Sequence, residues 1–300
     1  MEIVIAGGSG FIGRYISRYL SDMGCTVSLL SRKKDPCPDY ACYYWNPAQG
    51  EIDQKALYKK DIIINLSGAG IADKLLTRKR KDIIYRSRID STALLVNTLT
   101  ENNYSPLLFI SASAIGYYGN RPEEQLSESS GPGKDFIADL CKEWEQEIMP
   151  LGEANIPTAI LRIGIVLGKD GGSLSKLVFP LRFRMNVLFS KGLHSISWIH
   201  IHDLARIIEQ LIRGRLKTGI YNTVSPNPVS QAEFNRTASK IFGKKPVDLN
   251  IPKALLKIIL GDLTQVLTAD QNVRPDNLIC QEFEFNFPTI YTSLLDLLSK

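Results

Sequence analysis

Short apolar runs rich in β-branched residues alternate along this chain with longer stretches whose apolar positions recur every three or four residues. The runs at 2–6, 26–30, 61–66, 107–112 and 158–163 predict strands, and the stretches 11–23, 77–102 and 134–150 predict the helices between them. Alternation with crossovers of this length implies a parallel sheet covered by helices on both faces. Ligands of such sheets bind at the carboxyl ends of the strands. "NLSG" (65–68), "SASAIGYYG" (111–119) and "RIGIVLG" (162–168) are therefore expected to wall a cleft. After residue 168 the pattern breaks up. A glycine turn enters a helix, Asp203 is placed to cap a helix over 204–213, and a strand near 219–222 precedes helices at 230–242, 251–260 and 262–269. The expected fold is α/β, a Rossmann-type doubly wound parallel sheet over 1–168 to which the 219–222 strand returns. Residues 169–300 form a smaller α-rich cap over the cleft.

The first strand runs directly into "AGGSGFIG", with glycines spaced Gly7-x-x-Gly10-x-x-Gly13. In that context glycine serves a tight turn, close approach of backbone to a pyrophosphate, and close packing of helix on strand. Helical spacing of Ile12, Ile16, Tyr19, Leu20 and Met23 follows, so a helix N-terminus with free N–H groups faces the same place. The second strand ends in Ser31, Arg32, Lys33 and Lys34, where NAD sites usually carry an acid that grips ribose hydroxyls. A guanidinium there pairs with a 2′-phosphate and stacks on adenine. The expected cofactor is NADP(H).

Charge and composition exclude more than they assign. A net charge of +5 and 44% hydrophobic residues in 300 are ordinary for a soluble globular protein. No apolar run approaches the roughly 18 residues of a membrane span, and the start lacks the pattern of a secretory leader. No membrane partner is expected. The densest charge run, "KLLTRKRKDIIYRSR" (74–88), has Tyr85 as its single aromatic, too little stacking surface for a nucleic-acid partner. It reads as the solvated side of a helix whose buried face carries Ile83, Ile84, Leu94, Leu95 and Leu99. The scattered Cys25, Cys37, Cys42, Cys141 and Cys280 suit free thiols in a reducing cytoplasm. His200 and His202 alternate as strand neighbours without a third ligand, so no metal is expected.

In order and spacing, "GGSGFIG", "LLSRK", "INLSG", "SRIDST", "SASAIGYYG", "LRIGIVLGKDGG", "SWIHIHDL" and "DLTQVLTADQNVRP" resemble the extended short-chain dehydrogenases/reductases. Within these the chain is most similar to the atypical "epimerase family" group, related to nucleoside-diphosphate-sugar epimerases and NAD-dependent epimerases/dehydratases. The resemblance runs nearly end to end. It implies a phosphate loop of Gly7, Ser9, Gly10, Phe11, Ile12 and Gly13, an adenosine end at Ser31 and Arg32, and Leu66 and Ser67 along the middle of the cofactor. It also implies that Arg88 points into the cleft and that Val166 lies beside the nicotinamide end.

That superfamily usually moves protons with a Tyr-x-x-x-Lys pair on one helix face, where the lysine lowers the tyrosine pKa. None of the twelve tyrosines here has a lysine four residues on. In "DFIADLCKEWEQE", Phe136 or Ile137 stands near the tyrosine position and Leu140 or Cys141 near that of the lysine. Ser113 matches the superfamily serine, Tyr117 and Tyr118 follow in the same loop, and Arg162 is placed to buttress a strand end or polarise substrate. Ser113, Tyr117 and Tyr118 are the candidate catalytic residues. Two functions stay open: an NADP(H)-dependent oxidoreductase or epimerase-like enzyme acting on a small hydroxyl or carbonyl compound, and a non-catalytic NADP(H)-binding regulator.

Overall fold

The computed structural model describes residues 1–33 and 39–299, so Lys34 and Cys37 of the sequence reading lie outside the described residues. The first half of the chain runs β1 (Glu2–Ala6), α1 (Phe11–Asp22), β2 (Thr26–Ser31), β3 (Ala41–Asn46), β4 (Glu51–Ile52), β5 (Ile62–Asn65), α2 (Arg78–Glu101) and β6 (Leu108–Ala114). It continues with β7 (Gln125–Leu126), α3 (Phe136–Gln146), α4 (Pro150–Glu153) and β8 (Thr158–Ile163). The second half runs β9 (Ile165–Gly168), β10 (Gly171–Gly172), α5 (Leu174–Arg182), β11 (Met185–Phe189), β12 (Ser195–Ile196), β13 (Trp198–His200) and α6 (Ile201–Ile212). Then come β14 (Gly219–Thr223), β15 (Val229–Ser230), α7 (Gln231–Ile241), β16 (Val247–Ile251), α8 (Lys253–Leu260), α9 (Leu263–Leu267), β17 (Asn272–Val273), α10 (Asp276–Cys280) and α11 (Ile290–Leu298).

Eight strands form one sheet in the order β14-β8-β6-β5-β1-β2-β3-β4, parallel except for β4. The expected doubly wound α/β fold is present. Strand order reverses between β1 and its neighbours β2 and β5, which opens a crevice at their carboxyl ends. The inner strands are apolar on both sides because helices cover both. Ile3, Ile5, Ile62 and Ile64 pack under α1 and α6, and Val4, Ile63 and Phe109 pack under α2. A separate apolar cluster joins α5, α7 and α11 through Trp198, Phe234 and Leu294.

Three local expectations need correction. On α2, Ile84, Leu95 and Leu99 are buried but Ile83 is exposed, since the turn from 83 to 84 carries it off the packed face. Asp203 does not cap a helix over 204–213. The helix starts three residues earlier, at Ile201, capped by His200, whose Nδ1 accepts the His202 N–H at 3.1 Å. Asp203, fully buried, instead accepts the backbone N–H groups of Asn286 and Phe287 at 2.9 Å each. His200 and His202 are therefore not strand neighbours: the first ends β13 and the second lies in α6. The strand β3 carries no clear period in "ACYYWN" and is absent from the sequence reading; it pairs with β2 near the sheet margin.

Candidate functional site

The opening loop is built on glycines that nothing larger can replace. Gly7 has φ +79°, and a Cβ there would sit 2.5 Å from the Leu66 carbonyl oxygen at the end of β5. A Cβ on Gly13 would strike the Gly7 carbonyl oxygen and lie 2.6 Å from Gly8 Cα, so α1 rests directly on the loop. Gly10 N–H closes the turn on the Gly7 carbonyl at 3.0 Å and leads into α1 without a side-chain cap. The first N–H groups of α1 thus remain available to an anion. Ser9 and Gly10 are exposed, and Arg14, one turn into the helix, donates to the Ser9 carbonyl at 2.7 Å. Phe11 is fenced by the Gly168–Gly172 hairpin, and with Ile12 and Leu66 it packs against the cluster that holds Val166.

Around this loop the sheet topology gathers the other candidates. Ser31 ends β2, its hydroxyl accepting the Lys33 N–H at 3.1 Å, and Arg32 is exposed beside it. Asn65 holds the next turn by accepting the Ser67 N–H at 3.2 Å and donating to Thr92 at 2.8 Å. Ser67 is 6% exposed and its hydroxyl has no partner among the described residues. Such a group requires explanation in a folded protein. A polar cofactor passing over the end of β5 fits it.

Arg88, on α2, lies against the turn that follows β5. Its guanidinium carbon would lie 3.0 Å from a Cβ on Gly68, it donates to the carbonyls of Ala69 and Ile84 at 3.1 and 3.2 Å, and it sits over the Trp144 ring at 5.2 Å. No carboxylate pairs with it among the described residues. Burial lowers its pKa to about 10. A half-buried cation without an acid gains from an anion placed beside it.

The three catalytic candidates sit in a different setting. Strand register aligns Ser113 with Arg162 and Arg162 with Asn222 across β6, β8 and β14. From α3, Glu145 takes the Ser113 hydroxyl at 2.6 Å and both Nε and Nη2 of Arg162 at 2.8 Å each. Arg162 also donates to the Tyr118 hydroxyl at 3.0 Å, which donates to Asn222 at 2.7 Å; Asn222 N–H in turn donates to Glu128 at 2.9 Å. Burial lowers the Arg162 pKa, but the hydrogen bonds and charge of Glu145 outweigh it and the net shift is upward. Burial raises Tyr118 and Glu128. Ser113 is 3% exposed and Tyr118 is fully buried, and both hydroxyls are committed to this network. Tyr117 is half-buried: its ring stacks 3.5 Å from the Arg162 guanidinium and meets Tyr118 edge-on.

On α3, Ile137 and Cys141, four apart, share the face toward Gly116 just past β6, where the Tyr/Lys pair is missing. Burial pushes the Cys141 thiol up to about 12, so it brings neither a proton donor of useful strength nor a thiolate. The adjoining pocket is lined by Gly116, Gly119, Phe136 and Ile137, with Val266 and Gln271 from the C-terminal segment. Its lysine, Lys81, is bound to Asp262 at 2.5 Å. Gln271 is tied down by donating to the carbonyls of Ile115 and Gly119.

Sequence reasoning missed Gly8, Arg14, Asn222, Glu128 and Glu145. Glu145 carried a signal, because it extends the buried row through Ala138 and Cys141 to a third helical step.

Comparison with known proteins identifies the family. The sequence profile of the NAD dependent epimerase/dehydratase family matches residues 3–223. The chain belongs to that family. A second profile, a domain of unknown function (DUF1731), covers residues 251–297 of this family member. Over 304 residues the chain is 28% identical to the mouse epimerase family protein SDR39U1, covering all of both chains. It is 28% identical over 301 residues to the Bacillus subtilis epimerase family protein YfhF, covering all of this chain and 98% of the other. Human epimerase family protein SDR39U1, crystallised with NADPH, superposes with a TM-score of 0.86 at 25% identity over 99% of each chain. The resemblance to the extended, epimerase-type dehydrogenases/reductases is borne out.

Proposed function

We propose that this protein binds NADP(H) and acts as an oxidoreductase or epimerase-like enzyme on a small hydroxyl or carbonyl compound. The end of β2 carries this reading: Arg32 and Lys33 stand exposed beside the glycine loop, with no acid among residues 31–33 to repel a 2′-phosphate. The NADPH of the human relative supports the same choice. Gly7, Gly10, Gly13 and the first turn of α1 would hold the diphosphate, Ser67 and Leu66 its middle, and Arg88 a negative group deeper in the cleft. When bound, the nicotinamide supplies or accepts hydride; the protein positions it and manages the proton.

For that proton the chain offers Tyr117. The hydroxyls of Ser113 and Tyr118 already donate to Glu145 and Asn222, and Ser113 retains only its acceptor side for a substrate hydroxyl. The Tyr117 ring is held in place on the Arg162 guanidinium, 3.5 Å from it, and its hydroxyl is not drawn into the network that holds Ser113 and Tyr118. The pocket over Ile137 supports a compact substrate, because the lysine that lines it is already neutralised by Asp262.

The phosphate claim is tested by Arg32→Asp. We expect NADPH affinity by calorimetry to fall 10- to 100-fold, about 1.4–2.8 kcal/mol, with NADH affinity changed little. Equal affinities for NADPH and NADH in the parent protein sink the assignment. Tyr117→Phe, in a screen of small ketones and alcohols, is expected to lower kcat by roughly 100-fold, within the range for a lost general acid, and to leave NADPH binding intact.

A second reading is favoured by Ile137 and Cys141 on the dyad face: a protein that binds NADP(H) without turnover and reports its occupancy to a partner. Tight NADPH binding with no oxidation of NADPH by any compound in that screen selects it.

A further inference from the structure

The two-stranded ribbon of β11 and β16 has an unusual outer face. The strands pair in parallel with Met185 opposite Val247, Val187 opposite Leu249 and Phe189 opposite Ile251. Side chains alternate along a strand, so these six apolar residues share one face. The alternate positions of β11, Asn186 and Leu188, are buried, with Asn186 accepting from Asn235 of α7 at 2.8 Å. On β16 the alternate residues Asp248 and Asn250 are exposed; on the apolar side Val187, Phe189 and Ile251 are half-buried, while Met185 is 40% exposed, Val247 67% and Leu249 43%.

Further exposed apolar side chains flank the ribbon's strands in the sequence. Just before β11, Phe179 of α5 and Phe183, which follows the helix, have ring centroids 5.2 Å from each other, and both are exposed. Just after β16, α8 buries Leu256 and presents Leu255, Ile258 and Ile259, with Ile258 81% exposed. Monomers rarely leave an apolar strip of this extent open without a use.

What borders the strip decides its partner. Residues 182–191 and 244–257 contain seven Lys or Arg against one acid, Asp248. None of the seven forms an ion pair among the described residues. The carboxylate of Asp248 is held by Asn186 at 2.7 Å. Arg182, Arg184, Lys253 and Lys257 are exposed. A second copy on the same face would bring like charges together, and a nucleic acid would leave the isoleucines and phenylalanines without contact. An anionic bilayer surface satisfies both features: acyl chains receive the apolar side chains and acidic head groups meet the cations.

We propose that the face formed by α5, β11, β16 and α8 docks on anionic phospholipid bilayers, with Ile258, Ile259 and Phe183 inserting at the interface. No helix among the described residues is long and apolar enough to cross a membrane, so the contact is peripheral. The inference revises the expectation of no membrane partner, which considered only spanning segments. It is independent of the proposed chemistry.

Cosedimentation of the full chain with vesicles tests it. Vesicles of phosphatidylcholine with one part in four phosphatidylglycerol are expected to carry the protein down, pure phosphatidylcholine vesicles not, and added salt should release it. Ile258→Asp with Ile259→Asp should weaken partitioning on the order of tenfold or more, with NADPH binding and the thermal unfolding midpoint unchanged. Lys253→Glu with Lys257→Glu should weaken it without touching the apolar strip. The proposal is overturned if the parent protein stays in solution with both vesicles. It is equally overturned if light scattering finds a dimer that the isoleucine variant separates, which would give the face to a second copy.

Discussion

Replacing Glu145 with Gln is expected to cost about 3–5 kcal/mol of folding stability, the range for removing one partner of a buried ion pair. Glu145 is 9% exposed and holds the Arg162 guanidinium through two bonds of 2.8 Å. Its loss leaves a cation 3% exposed among β6, β8 and the Tyr118 hydroxyl, with no other carboxylate bonded to it among the described residues. Chemical denaturation of the apoprotein measures the effect. The double variant Glu145→Gln with Arg162→Met should recover much of the loss, because removing both charges costs far less than stranding one. A single-variant loss below about 1 kcal/mol would mean that water reaches this network and that it does not brace α3 against the sheet.

Gly13→Ala is expected to lower NADPH affinity on the order of 100-fold, about 2.8 kcal/mol. The new carbon collides with the backbone at Gly7 and Gly8 rather than with a side chain able to turn away. Either α1 withdraws from the loop or the loop opens, and both misplace the N–H groups that face the diphosphate. Calorimetry reads the affinity, and circular dichroism checks that the sheet persists. Unchanged affinity would show that the cofactor does not lean on this loop.

The sequence was most informative where the physics is local. A strand, a glycine turn and an amphipathic helix lie within 22 residues, so β1, the loop and α1 were readable from period and spacing alone. Arg32 followed for the same reason, because the end of β2 is adjacent to the loop in every sheet of this kind. The absence of a Tyr/Lys pair was equally visible, and α3 does place Ile137 and Cys141 on that face. The network around Arg162 was not readable. Its members come from residues 113, 118, 128, 145, 162 and 222, and only the register of three neighbouring strands aligns them. Ser113 and Tyr118 were identified as residues of interest, yet what holds their hydroxyls is decided across the sheet. Capping of α6 by His200 escaped for a related reason: Asp203 has the chemistry of a cap, but the backbone of Asn286 and Phe287 competes for its carboxylate.

The return of β14 to the sheet edge beside β8, after a detour of more than fifty residues, bears on how the chain is completed during synthesis. Until residue 223 has left the ribosome, β8 is a bare margin with unsatisfied amides and a strong tendency to recruit foreign strands. A fragment ending near residue 168 would keep that margin permanently and should precipitate rather than serve as a minimal nucleotide-binding unit.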